Sequence, residues 1–122
     1  RLGIENQPGR EEEENLRQLC LNVLEPLRMR FGRIIITSGY RSNDLNKAIG
    51  GTFNSQHMRG EAADIHIPNE ATGRRYYLFI KHTLVFDQLL FEHRMRNGCM
   101  WLHVSFRQPP HQNRGEAMEM TI

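Results

Sequence analysis

The tightest constraint on this chain is a pair of short segments, 62–67 (AADIHI) and 101–106 (WLHVSF), in which side-chain character alternates with a period of two. Successive side chains of a β-strand point to opposite faces of the sheet, so each segment has two distinct faces. In the first, Ala63, Ile65 and Ile67 lie opposite Ala62, Asp64 and His66. In the second, Leu102, Val104 and Phe106 lie opposite Trp101, His103 and Ser105. A slip of one residue would exchange the faces, so the register is strongly specified. The pattern predicts Ile65, Leu102 and Val104 in the core, with Asp64 and His103 together on the other face.

Around these strands the chain reads as alternating elements. Residues 1–10 contain Pro8-Gly9 and suit an extended arm. Glu11 to Glu14 put negative charge where a helix N-terminus favours it. Leu16, Leu19, Cys20, Val23, Leu24 and Leu27 then form an apolar stripe at helical spacing, with Gly32 as the stop. Pro26 should kink or shorten this helix. Residues 33–37 (RIIIT) read as a buried strand and Ser38-Gly39 as a turn. Ser42 or Asn43 can cap a short helix that ends at Gly50-Gly51. Residues 52–60 form a polar loop, and Pro68 ends the first alternating strand. A helix is expected over 71–84, with Tyr77, Leu78 and Lys81 at helical spacing, and a strand over 86–91. A hairpin loop is expected over 93–98. The tail from Pro109 is polar and carries no clear pattern. This mixed order predicts an α+β fold, a central, mostly antiparallel sheet with flanking helices.

A length of 122 residues suits one domain spanning 1–122. The chain opens at Arg1 rather than Met, which leaves room for an upstream leader or domain. No apolar run is long enough to span a bilayer. With a net charge of +2 and no basic run interleaved with aromatics, nucleic acid is not the expected partner. A monomer is expected. Two cysteines make no disulfide framework: Cys20 belongs to the apolar helix face and Cys99 to a polar loop.

Chemistry concentrates on few residues. A carboxylate inside a strand as apolar as that of Asp64 needs a partner, because an unpaired buried charge is costly. A cation or an arginine would serve. His57 precedes a permissive Gly60, and His103 sits mid-strand. Two imidazoles and a carboxylate are a zinc donor set, and three protein ligands leave the fourth position to water, the catalytic arrangement. His66 shares the Asp64 face and competes as a ligand. His82, His93 and His111 have no supporting context. Arg41 follows a tight turn; its planar fork can hold a carboxylate or an oxyanion, or simply pair with Asp44. Ser55 can meet a substrate or cap its loop.

Three segments carry a resemblance. Ser55-Gln56-His57-Met58-Arg59-Gly60-Glu61-Ala62-Ala63-Asp64 resembles the S-x-H-x-x-G-x-A-x-D signature of the D-Ala-D-Ala carboxypeptidase family of zinc peptidases, peptidase family M15. Ser38-Gly39-Tyr40-Arg41-Ser42 resembles its S-G-Y-R-S segment, and Trp101 to Ser105 its final ligand strand. The short subgroup with Ser-Gln-His and Phe-Asp-Gln-Leu is the nearest in pattern. The resemblance implies the fold shared with hedgehog signalling domains, Zn2+ held by His57, Asp64 and His103, and a peptidoglycan peptide or other small peptide as substrate, with Arg41 and Ser55 meeting it. Localisation stays open, with the bacterial cell envelope and a phage or prophage particle as compatible settings. One position departs: many members carry a catalytic Glu three residues before the last His, where this chain has Met100. Residues 86–92 (FDQLLFE) resemble the hedgehog-domain strand whose closing Glu lies at the zinc, which makes Glu92 the expected general base and Asp87, on the opposite face, its rival. The same departure keeps open a non-catalytic zinc-containing module for recognition of cell wall or protein.

Overall fold

The computed structural model describes residues 5–51 and 55–122; residues 1–4 of the expected arm and 52–54 of the expected polar loop lie outside them. The first helical stretch comprises α1 (Arg10–Leu19), a π-helical turn (Cys20–Leu24) and α2 (Glu25–Phe31). Pro26 neither ends nor shortens it. A proline has no N–H to offer the carbonyl four residues back. Here the π turn stands just before it, with the Glu25 N–H reaching back to the Cys20 carbonyl, and the helix continues. Leu19, Val23 and Leu27 are buried at intervals of four. Cys20 falls off that stripe and is exposed, contrary to the expectation of a buried thiol.

The sheet has five strands in the order β1-β2-β4-β3-β5: β1 (Ile36–Ser38), β2 (Ala62–His66), β3 (Gln88–His93), β4 (Met100–Ser105) and β5 (Glu116–Thr121). Neighbours are antiparallel except β3 and β5, which run parallel. The α+β expectation therefore holds. Two expectations about strands do not. The run 33–37 is not a buried strand: β1 starts at Ile36, pairs with β2 alone at the sheet edge, and leaves Ile35 46% and Ile36 40% exposed. Its β-branched residues favour extended backbone, but α4 packs chiefly over β3 and β4, in the middle of the sheet, and this edge stays partly exposed. The tail from Pro109, which shows no pattern in sequence, supplies β5.

Between the strands lie α3 (Asn43–Ala48), capped by the Ser42 hydroxyl, and α4 (Glu70–Thr83), capped by Asn69. Tyr76, Tyr77 and Ile80 of α4 join Leu19, Val23 and Leu27 over the apolar sheet face made by Ala63, Ile65, Leu89, Phe91, Leu102 and Val104. Gly73 lets α4 approach closely, since a Cβ there would press on Ile67 and Phe91. Leu78 lies outside this core and is exposed. The opposite sheet face carries Asp64 and His103 as direct cross-strand partners, as the alternation predicts.

Candidate metal centre

Asp64 and His103 reach one another because β2 and β4 pair in that register. The His103 Nδ1 lies 3.1 Å from Asp64 Oδ1. His57 arrives from a 3-10 turn, Gln56–Arg59. The Ser55 hydroxyl caps this turn by accepting from the His57 N–H at 3.1 Å, and Gly60, at φ +75°, ends it. A Cβ at Gly60 would press into the backbone carbonyl of Glu12, so the turn lies directly against α1. From α1, the buried Asn15 donates its side-chain amide to the Arg59 carbonyl at 2.8 Å. The turn thus has a hydroxyl cap, a left-handed glycine and a helix holding its far end.

The His57 Nδ1 lies 2.8 Å from the Gly39 carbonyl. A carbonyl can only accept, so this contact puts the proton on Nδ1 and leaves the Nε2 lone pair free to bind. Nε2 is buried and has no hydrogen-bond partner; it stands 3.3 Å from Asp64 Oδ1 without hydrogen-bond geometry. An orphaned buried polar atom calls for a partner. Donor atoms of His57, Asp64 and His103 all lie within 4.8 Å of one another, which is the spacing a single cation can bridge. Burial pushes the Asp64 carboxyl up, but contacts from His103 and His57 outweigh it and hold the group well below the usual carboxylate range. Asp64 is therefore an anion, as a ligand must be. Nitrogen and oxygen donors in this combination fit zinc.

Arg41 occupies the other oxygen: its Nη2 is 3.3 Å from Asp64 Oδ2, Nη1 is 3.1 Å from Asn46 Oδ1, and Nε is 3.0 Å from Ser38 Oγ. The arginine partner considered for Asp64 is thus real and coexists with the imidazoles. An Arg41–Asp44 pair is not what forms. Segment 38–42 works as a scaffold: Ser38 steadies Arg41, Gly39 orients His57, the Arg41 N–H bonds the His57 carbonyl at 3.0 Å, and Ser42 caps α3.

These groups lie in an open cleft of about 500 Å³, which Ser55, Gln56, Leu90, Glu92 and Trp101 also line. Glu92 is half-buried and accepts from the Trp101 indole N–H at 3.1 Å. Burial raises its carboxyl above the ordinary value; His103 opposes this and the Asp64 charge adds to it. Its rival Asp87 is fully buried, bound by three donors of Arg114 and by the Gln56 amide, and does not line the cleft. His66 keeps to the Asp64 face but is exposed, and is outside the converging donor set. His93 stacks on Phe91, and His111 meets Arg107. Asn15 and the tryptophan–glutamate contact escape a reading of the sequence, although Asn15 stands at the next interval of four before Leu19, a polar residue in an apolar stripe.

An α+β chain with two imidazoles and a carboxylate converging at an open cleft defines a protein with an accessible metal centre of the kind that hydrolases use. The family model described as Peptidase M15 matches residues 3–105, and the chain belongs to that family of zinc-dependent metallopeptidases. No curated protein matches it.

Proposed function

We propose that this chain is a zinc peptidase that hydrolyses peptidoglycan-type peptides next to D-alanine. The observation that carries the reading is the unpartnered, buried Nε2 of His57 beside Asp64 and His103 at the floor of an open cleft. Held by these three residues, zinc would supply an open coordination position and Lewis acidity toward a carbonyl and water. Glu92 is the general base: it takes a proton from the attacking water and returns one to the departing amine as the C–N bond breaks. Its raised carboxyl pKa and its tether to Trp101 suit a group that must both accept and give back a proton. Arg41 fixes Asp64, and its remaining N–H groups are available to a developing oxyanion. Ser55 holds the His57 turn and borders the substrate path. The D-alanine preference rests on family membership.

Protein purified without a histidine tag should contain one equivalent of zinc by elemental analysis and should cleave acetyl-Lys-D-Ala-D-Ala. His57→Ala should lose both. A second reading follows from Met100, which stands where a carboxylate would be expected: a zinc-containing recognition module. It would be favoured if zinc-loaded protein bound such peptides and cleaved none.

A further inference from the structure

The cleft does not stop at the metal centre. On the far side of Trp101 and Arg41 it continues into a second cavity of about 400 Å³, lined by Thr37, Ile49, His66, Arg94 and Met100. Arg41, Gly51, Asp64 and Trp101 line both cavities, so the second space adjoins the metal centre at Asp64. The second space has a distinctive charge. Among the described residues Asp64 is the sole carboxylate lining it, and Asp64 is already engaged by Arg41 and the two imidazoles. Arg41 spends one N–H on each of Asp64, Asn46 and Ser38, and in the reading above it turns its remaining N–H groups to the oxyanion. The remaining fixed cation is Arg94.

Arg94 is well placed to recognise an anion. It opens the β3–β4 hairpin loop, where its N–H bonds the Cys99 carbonyl at 2.8 Å and its carbonyl accepts from Gly98 at 2.9 Å. Its guanidinium lies over the Trp101 ring, 5.1 Å from the centroid. Stacking on an aromatic face leaves the edge of a guanidinium open to a carboxylate and restrains it in advance, so less entropy is lost on binding. Ile49 and Met100 give the same cavity an apolar wall. We infer that this cavity is a specificity subsite, in which Arg94 binds a carboxylate of the peptide. This rests on the peptidase reading above. The carboxylate belongs either to the peptide's C-terminus or to a side chain beyond the scissile bond.

Trp101 is the chain's single tryptophan and borders both cavities, so its fluorescence reports peptide binding in the cleft, and the paired peptides and the Arg94 variants assign that binding to this space. Zinc-loaded protein would be titrated with acetyl-Lys-D-Ala-D-Ala and with its C-terminal amide, then with an amidated peptide carrying one internal Glu and its Gln counterpart; cleavage of each would be followed in parallel. One pair should show a carboxylate preference of roughly ten- to a hundredfold, and whichever pair shows it names the source of the group. Arg94→Gln should bring that ratio close to one with zinc content unchanged, and Arg94→Lys should keep much of it. Equal affinity within both pairs, or a full preference retained by a folded, zinc-loaded Arg94→Gln protein, would overturn the subsite while leaving hydrolysis to support the peptidase reading. If zinc-loaded wild type neither bound nor cleaved any of the peptides, both would fall.

Discussion

At the scale of the residue, two side chains at the candidate centre differ in their surroundings. His57 is oriented by the Gly39 carbonyl on one nitrogen and is bare on the other. Glu92 is held by the indole of Trp101 and stripped of much of its solvent. Their removal should therefore have different consequences. Glu92→Gln preserves shape and the acceptor for the indole while abolishing proton transfer; it should leave zinc content intact and lower peptide turnover by about a hundredfold or more. Parallel elemental analysis and single-turnover kinetics check both halves, and undiminished turnover would remove Glu92 from the role of base. The convergence of Asp64 and His103 was legible in sequence because alternation fixes which face each occupies, and strand pairing then brings them opposite one another, whereas His57 comes from a turn that no period marks. Arg41 stood out in sequence but not as a partner of Asp64, because that contact joins residues 23 apart across α3 and the His57 turn, whose packing no local pattern specifies.

At the scale of the element, the 3-10 turn that carries His57 depends on a glycine for two separate reasons. Gly60 adopts φ +75°, which L side chains rarely adopt, and it abuts the backbone of α1. Gly60→Ala should destabilise the fold by about 2 kcal/mol or more, because the left-handed strain and the displaced helix add together. It should also weaken zinc binding, since the turn can relieve the clash only by moving His57. Urea unfolding and competition with a chromogenic chelator measure the two effects, and a variant of wild-type stability and affinity would refute the account. Strong local patterns found the elements with one apolar face, β2, β4 and α4. They failed at both edges of the sheet. The run 33–37 is apolar enough to read as buried yet lies at the sheet edge, where Ile35 and Ile36 stay exposed. In β5 the reverse holds: its side chains are mostly exposed, and its pairing partner β3 lies more than twenty residues back, beyond the reach of periodicity. The exposed Cys20 has a local cause, the interval-of-four burial through the π turn.

For the molecule as a whole, Asp87 joins three distant segments. Its carboxylate accepts from the Arg114 backbone and guanidinium before β5 and from the Gln56 amide of the His57 turn, at the entrance to β3. Burial pushes its pKa up, but Arg114 prevails and the folded-state value lies below the ordinary one. A carboxyl with a depressed folded pKa gives stability that is fully present above its unfolded value and is lost as pH falls through the folded one. Unfolding free energy should therefore decline below about pH 4, and Asp87→Asn should cost about 1–3 kcal/mol at neutral pH with a smaller penalty in acid. Denaturant midpoints for both proteins across that range test it; parallel curves would show that Asp87 is not the acid-sensitive joint. A last consequence belongs to Asn15, on a helix that meets neither metal nor peptide yet clasps the turn bearing His57. Thermodynamic coupling is reciprocal. Whatever the clasp lends to zinc affinity, zinc must return as firmer docking of that helix, so the slowing of amide exchange along α1 as metal is added would weigh one side of the protein from the other.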